Sequence, residues 1–122
     1  MEALPPIPNE FTHVIASREF ELVGPVGSAR LTVEIGAPVQ DVPSVGGTDW
    51  RCPIRYLRDA HVEVVSMCGI DSFQALQVAI AVVGQRLEAI SNESGQSIRF
   101  LDSPYNCVTH LPDHPSTPRS GT

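Results

Sequence analysis

The chain has 122 residues, 42% of them apolar, which is enough to bury one hydrophobic core but hardly two. Its net charge is −6, with eight basic against fourteen acidic residues, which argues against a nucleic-acid backbone as the partner. The longest apolar run, Leu76 to Val83, is interrupted by Gln77 and is far shorter than the roughly 20 residues that span a bilayer. We therefore expect one soluble domain with no nucleic-acid or membrane partner.

The two ends of the chain differ in composition from its middle. Residues 1–11 and 104–122 are rich in proline, and both are predicted to be irregular. Residues 12–103, between these two ends, are predicted to form a single α+β domain. The first residues have neither the basic start nor the apolar core of a secretory signal, so we expect a cytoplasmic protein whose three cysteines are reduced.

Alternation of apolar and polar residues predicts a first strand from Thr12 to Val23. Its inward residues are Val14, Ala16, Phe20 and Leu22. A Gly-Pro turn follows, and the second strand has the cleanest alternation of the chain. The inward residues of the second strand are Leu31, Val33 and Ile35. The two strands are expected to form an antiparallel hairpin.

The segment from Gly36 to Thr48 contains two prolines and three glycines, and it is predicted to be a long surface loop. A third strand is predicted to begin near Asp49. One of its faces carries Trp50, Cys52, Ile54 and Tyr56. A short turn then leads to a fourth strand from His61 to Met67, in which Val62 and Val64 are predicted to point inward.

A helix is predicted to follow, because Asp71 or Ser72 can accept hydrogen bonds from the free N–H groups of a first helical turn. It is expected to end at about Ile90. Its buried stripe follows three-and-four spacing and comprises Phe73, Leu76, Ile80, Val83, Leu87 and Ile90. Such a stripe needs an apolar surface to cover, so the predicted fold is α+β: an antiparallel sheet of about four strands with one long helix packed on one face. Ser97 to Leu101 is predicted to add a short strand.

No catalytic residue, metal site or cofactor is predicted. The chain contains no G-x-S-x-G, H-E-x-x-H, G-x-x-x-x-G-K or G-x-G-x-x-G motif. One short-spaced set of metal-ligand residues lies in the proline-rich end and is interpreted as part of a solvated tail: Cys107, His110, Asp113 and His114. Cys52 is interpreted as a small core residue, and Cys68, at the entrance to the helix, as a structural rather than a reactive thiol.

Charged and amide side chains on the exposed faces are the candidate binding residues. Four carboxylates are predicted to project outward from the strands: Glu19, Glu21, Glu34 and Glu63. Arg51 and Arg55 share an outward face, where they either bind carboxylates of a partner or pair with carboxylates of adjacent strands. Internal pairing is the favoured interpretation. Gln74 and Gln77 lie on an amide-rich side of the helix that suits solvent or a polar interface.

Two segments carry a resemblance to a known family. The first runs from Asp49 to Arg55 and reads DWRCPIR, and the second runs from Gly69 to Ala79 and reads GIDSFQALQVA. A W-x-C-P strand followed by a G-x-D-x-x-Q-A-L helix start resembles a family of small uncharacterised bacterial proteins, a domain of unknown function. The likeness extends from about Ala16 to Leu87. It implies a bacterial source and a ββββα organisation, and it carries over no activity and no catalytic residue.

The favoured function is a non-enzymatic protein-binding module, and an immunity protein that neutralises a basic toxin domain is its most concrete form. This choice rests on the size and acidity of the chain and not on a motif. Association is expected to depend on the outward carboxylates, because charge attraction speeds encounter and is screened by salt. The alternative is a small enzyme or ligand-binding module that uses the concave space beside Trp50, Cys68 and Asp71.

Overall fold

A computed structural model of the chain describes residues 4–101. In this range five strands precede one long helix, and one short strand follows it. The elements are β1 Val14–Gly24, β2 Gly27–Gly36, β3 Val39–Ser44, β4 Gly47–Arg58, β5 His61–Gly69, α1 Ser72–Ser94 and β6 Ser97–Arg99. The predicted α+β class and the short strand after the helix are confirmed, but the sheet is larger than about four strands.

All the described strands belong to one antiparallel sheet with β4 at its centre. β5 pairs along one side of β4, while β2 and β3 share the other side. β2 pairs with the second half of β4 and β3 with the first half, so β3 prolongs β2. β1 pairs with β2, and β6 pairs with a short part of β1. The predicted hairpin of the first two strands is confirmed.

The prediction of a loop from Gly36 to Thr48 is wrong, because β3 lies within it. Its prolines do not prevent pairing, since Pro38 lies outside β3 and Pro43 lies opposite Thr48 of β4. Among the described strands β3 pairs with β4 alone, and such an edge strand tolerates a proline whose nitrogen cannot donate to a neighbour. The turn into β4 contains Gly46 at a φ of 88°, a left-handed conformation that suits glycine.

The core lies between the inner face of the sheet and α1. Its buried members are Phe20, Leu22, Leu31, Val33, Ile35, Cys52, Ile54, Tyr56, Ala75, Ala79, Val83, Leu87 and Ile98. The inward rows predicted for β2, for β4 and for the second half of β1 are confirmed, with Trp50 partly buried beside them. In the first half of β1, Val14 and Ala16 stay exposed, because α1 packs against β5 and β4 and leaves this corner of the sheet uncovered.

The ends of α1 have defined caps. The Asp71 carboxylate accepts from the Gln74 backbone N–H at 2.7 Å, which confirms the predicted helix start. The helix ends at Gly95, whose φ of 68° is left-handed and whose N–H donates to the Ser91 carbonyl. It therefore continues about one turn beyond the predicted end near Ile90.

The buried side of α1 is rotated from the predicted stripe. Its fully buried residues are Ala75, Ala79, Val83 and Leu87. Phe73, which was predicted to lie in the buried stripe, is 68% exposed, and Ile80 is only partly buried. The start of the helix lies close to Gly69 at the end of β5, where an added Cβ would lie 2.5 Å from the Ala75 nitrogen. Three-and-four spacing identified the helix and two of its buried residues, Val83 and Leu87, but in the first half of the helix alanines and not Phe73 face the sheet.

The inward face of β5 is the opposite of the predicted one. Val62 is 55% exposed and Val64 does not join the core, whereas Val65 and Met67 pack against it. The register with β4 is the cause, since Val65 lies opposite Ile54 of the inner face. The alternation of β5 is weak because valines occupy both parities, so the pairing with β4 and not the local pattern decides its orientation.

Residues 4–13, here called the N-terminal segment, cross the outer face of the sheet without helix or strand. Asn9 Nδ2 donates to a β5 carbonyl at 3.2 Å, and the Thr12 hydroxyl donates to a carbonyl between β2 and β3 at 2.8 Å. Between these two contacts, the Phe11 ring lies 4.1 Å from the Arg55 guanidinium carbon. The predicted absence of regular structure therefore coexists with fixed contacts to the sheet.

Candidate interaction surface

β1 has an open edge over most of its length. β6 pairs with Glu21, Leu22 and Val23 only, whereas β1 begins at Val14. Phe100, directly after β6, forms a single β-bridge, and among residues 4–101 no strand pairs with residues 14–20 on the side opposite β2. An open edge presents unpaired backbone N–H and C=O groups, which makes it a template for an added strand.

An apolar groove lies beside this edge, between β1 and α1. It has a volume of about 190 Å³ and is lined by Ala16, Ser17, Arg18, Phe20, Val33, Ile35, Ile80 and Val83. The exposed apolar surface continues onto Val14 and Ile15, which are 42% and 46% exposed. We call the open edge at residues 14–20 together with this groove the β1 surface. Its backbone side can hydrogen bond and its groove side can bury apolar atoms.

Arginines stand at the polar border of the β1 surface. The Arg18 guanidinium carbon lies 4.1 Å from the centre of the Phe100 ring, and Phe100 in turn packs against Phe20 with ring centres 5.9 Å apart. This stack fixes Arg18 where β6 ends. On the outer face, Arg30 pairs with Glu19 at 3.2 Å, with both side chains largely exposed. An exposed pair of this kind contributes little stability and can exchange its partner.

The predicted carboxylates of the outer face are mostly opposite arginines. Glu34 pairs with Arg55 at 2.6 Å, which confirms the internal pairing favoured for that arginine. Glu21 is exposed and lies opposite Arg30 in β2 and Arg99 in β6. The outer face of β1 and β2 is therefore a field of mixed sign and not an acidic patch.

Glu63 does not project from the outer face as predicted. It lies on the inner face at the margin of the helix and pairs with Arg86 of α1 at 2.7 Å. The same register that turns Val65 inward also turns Glu63 inward. Glu63 lies near the start of β5, where Arg86 of α1 pairs with it and compensates its charge.

Arg51, predicted to lie on an outward face with Arg55, is buried there, with 2% of its side chain exposed. Its guanidinium binds both carboxylate oxygens of Asp41, at 2.8 and 3.1 Å. It also donates to the Glu10 carbonyl at 2.8 Å and to the Ser66 hydroxyl at 3.0 Å. These bonds use most of its donors within the protein, so Arg51 fastens β3, β5 and the N-terminal segment to β4.

The two predicted amide residues of α1 have different surroundings. Gln74 Oε1 accepts from the Ile70 N–H at 2.8 Å, so the side chain completes the helix cap together with Asp71. Gln77 is exposed and lies one turn from Ile80, which lines the groove. Of the two, Gln77 is the one placed at the border of the β1 surface.

Neither described cysteine has the surroundings of a reactive thiol. Burial raises the pKa of Cys52 to about 11, and its thiol lies 3.4 Å from the Gly36 carbonyl. Cys68 is exposed, but partial burial and the Asp49 carboxylate still raise its pKa, with Arg51 opposing them. A thiolate is disfavoured at both positions.

In residues 4–101, no group of three His, Cys, Asp or Glu residues is placed to hold a metal ion. The set Cys107, His110, Asp113 and His114 lies outside the described residues. Within the same range no helix is long and apolar enough to cross a membrane. Trp50, Cys68 and Asp71, proposed above to border a ligand site, line neither the groove beside β1 nor two other concavities of the described part of the chain.

Sequence reasoning did not identify the β1 surface. A usable signal was the mismatch between a first strand predicted at twelve residues and a last strand predicted at five. A short strand cannot cover a long neighbour, so an edge must stay open wherever the two pair. Contacts between distant parts of the chain decide which strands pair, and the local sequence pattern does not contain this information.

The fold and its surface together define a small α+β domain with a curled antiparallel sheet, one helix and an open strand edge. The model of a family described as a domain of unknown function, DUF6968, matches residues 16–109, and the chain belongs to this family. No curated protein matches the chain, and no solved structure does. The matched region begins at Ala16, so it includes most of β1 and leaves out the N-terminal segment.

Proposed function

We propose that the chain is a non-enzymatic protein-binding module that docks an extended segment of its partner along the β1 surface. The observation that carries this proposal is the open edge at residues 14–20 beside an exposed apolar groove. Strand addition of this kind obtains affinity from backbone hydrogen bonds and specificity from the side chains that enter a neighbouring pocket.

The groove defines the segment that it accepts. Successive residues of an added strand point to opposite faces of the sheet, so alternate side chains of the segment lie over Ala16 and beside Ile80. These positions favour apolar side chains of moderate size. On the outer face the same segment passes Glu19 of β1, whose exposed ion pair with Arg30 of β2 accepts either sign of charge.

The partner in its most specific form is a basic toxin domain, with this chain as its immunity protein. The net charge of −6 supports a basic partner, since opposite fields speed association. Because Glu34 and Glu63 are engaged by arginines, we assign the affinity chiefly to the β1 surface and only the encounter rate to the net charge.

The test begins with a photo-crosslinking amino acid at Ser17, which lies in the open edge and lines the groove. The protein is irradiated in the cells that make it, and the same crosslinker at Val26, fully exposed in the β1–β2 turn, is the control. We expect one protein to be captured from Ser17 and not from Val26. Capture only identifies a candidate, which is then purified for binding measurements.

Binding of the purified candidate is measured by calorimetry against Ala16→Lys and against the control Val26→Lys. A lysine at the open edge obstructs strand addition, and we expect it to weaken binding by about tenfold or more, equivalent to about 1.4 kcal/mol. The control should bind as the parent does. Equal binding by the parent and Ala16→Lys, with both folded by circular dichroism, would rule out the β1 surface as the docking site.

A further inference from the structure

A second concavity lies between the C-terminal half of α1 and the inner face of β2, β4 and β5. Its volume is about 420 Å³, and it shares no lining residue with the β1–α1 groove. Leu31, Tyr56 and Arg58 form its sheet side, and Arg86 and Ile90 belong to its helix side. A space of this volume is at the lower end of the range that holds small ligands.

The Tyr56 hydroxyl is the unexplained group of this pocket. Tyr56 is 6% exposed, and its hydroxyl oxygen is buried without a hydrogen-bond partner among residues 4–101. A buried polar group left unpaired costs about 1 to 3 kcal/mol. Burial raises the pKa of Tyr56 to about 12, against an opposing effect of Arg86 and with a smaller contribution from Glu63. The hydroxyl therefore keeps its proton at neutral pH and is able to donate a hydrogen bond to an acceptor.

The two arginines of the pocket differ in their partners. Arg86 is neutralised by Glu63 at 2.7 Å, and its guanidinium carbon lies 5.6 Å from the centre of the Tyr56 ring. Arg58 donates to the Gln96 amide oxygen at 3.2 Å, and no carboxylate of residues 4–101 lies within ion-pair distance of it. Arg58 thus brings a positive charge that a neutral amide does not compensate.

The remaining lining residues are apolar or lie at the rim. Ala89 joins Leu31 and Ile90 in supplying apolar surface, whereas His61 and Glu93 are exposed at the opening. The interior therefore combines an apolar wall, one uncompensated guanidinium and one proton-bearing hydroxyl. A ligand that matches all three has an apolar body and a single anionic group that accepts hydrogen bonds.

We propose that this pocket binds a small organic acid, with its carboxylate on Arg58 and the Tyr56 hydroxyl and its apolar body against Leu31 and Ile90. The site goes beyond the protein-binding role, because it uses none of the β1 surface. No bond is made or broken, so the pocket is a binding site and not an active site.

The test uses octanoate as the probe and octanamide, which has the same chain without the charge, as the matched control ligand. Each is titrated into the ¹⁵N-labelled full chain at low millimolar concentration and followed by NMR. We expect octanoate to give saturable shifts centred on Tyr56, Arg58 and Ile90. Octanamide should bind about tenfold more weakly, since it lacks the charge that strengthens a hydrogen bond to arginine.

Three variants locate the site. Arg58→Gln and Tyr56→Phe should each weaken octanoate binding by about fivefold to tenfold, because each removes one donor to the carboxylate. Arg30→Gln, an exposed arginine outside the pocket, should leave it unchanged. If Tyr56→Phe fails to fold, Arg58→Gln decides alone. Equal affinity for octanoate and octanamide, or unchanged octanoate binding by Arg58→Gln, would overturn the proposal.

Discussion

The two faces of β4 are buried to a similar degree by different means. Toward the helix, Cys52 and Ile54 are covered by α1 and are fully buried. Toward the outer face, Arg51 is 2% exposed beneath the N-terminal segment. One face excludes water by packing apolar atoms, and the other excludes it by surrounding a charge with acceptors.

This difference determines how each face responds to damage. Apolar packing loses stability in proportion to the atoms removed and the cavity that stays open. A buried guanidinium depends on its partners, because the loss of one carboxylate leaves a charge without compensation. The helix side should therefore respond to changes of size, and the outer side to changes of charge.

The largest expected effect is on the helix side of this comparison. Leu87 is fully buried in α1, and Leu87→Ala should lower the free energy of unfolding by about 3 to 4 kcal/mol. Urea denaturation followed by circular dichroism measures the loss. Phe73→Ala, at a position 68% exposed on the same helix, should cost less than about 0.5 kcal/mol. A Phe73→Ala loss as large as that of Leu87→Ala would show that the buried side of α1 is the sequence-predicted stripe.

The second-largest expected effect concerns the buried charge on the outer face of β4. Asp41→Ala removes the carboxylate that binds Arg51 with two hydrogen bonds, and it should cost about 2 to 3 kcal/mol. This lies below the range for a fully buried pair, because the Asp41 side chain is 33% exposed. Glu19→Ala, which breaks the exposed pair with Arg30, should cost less than about 1 kcal/mol in the same urea experiment.

A double variant separates loss of charge pairing from loss of packing. Adding Arg51→Met to Asp41→Ala removes the buried charge as well as its partner, and part of the stability should return. If the double variant is as unstable as the sum of the two single variants, the pair acts through packing alone and the contrast between the faces disappears.

How far the fold was predictable depended on how local its determinants are. Strict alternation placed β2 and its inward residues correctly, and the capping side chains Asp71 or Ser72 placed the start of α1, where the structure has Asp71 as the cap. β3 was missed, because Pro43 and the preceding Pro38 resemble loop residues and only pairing with β4 makes it a strand. The inward side of β5 was missed for the same reason. Valines occupy both parities of β5, so its pairing with β4 and not its own pattern decides which residues point inward.

The charged and polar contacts of the surface were also predictable only where they depend on local sequence patterns. Glu34 and Arg55 lie on strands with clear alternation, and their pairing was predicted and is confirmed. The partner of Arg51 was not found, because Asp41 lies in the segment interpreted as a loop. The open edge of β1 and the Tyr56 pocket both depend on which strands the helix and β6 cover, and no local pattern contains that information.

The smallest expected effect concerns the helix side at alkaline pH. The folded protein raises the pKa of Cys52 from 9.0 to about 11 and that of Tyr56 from 10.0 to about 12, because burial disfavours both anions. Between these values the unfolded chain has lost protons that the folded chain still binds, so stability falls as pH rises. The contribution is fully present below about pH 9 and is lost by about pH 12.

The chain contains no lysine, so side-chain titration in this window is confined to its cysteines and tyrosines. We expect the free energy of unfolding to fall by about 2 kcal/mol between pH 8.5 and pH 10, measured by urea denaturation under reducing conditions. Tyr56→Phe removes one of the two buried groups and should flatten the decline, whereas Arg30→Gln should leave the slope unchanged. The buried charge of the outer face is on Arg51, which does not titrate in this pH range. If the decline persists undiminished in the double variant Tyr56→Phe with Cys52→Ala, the loss of stability at alkaline pH does not come from the helix side of β4.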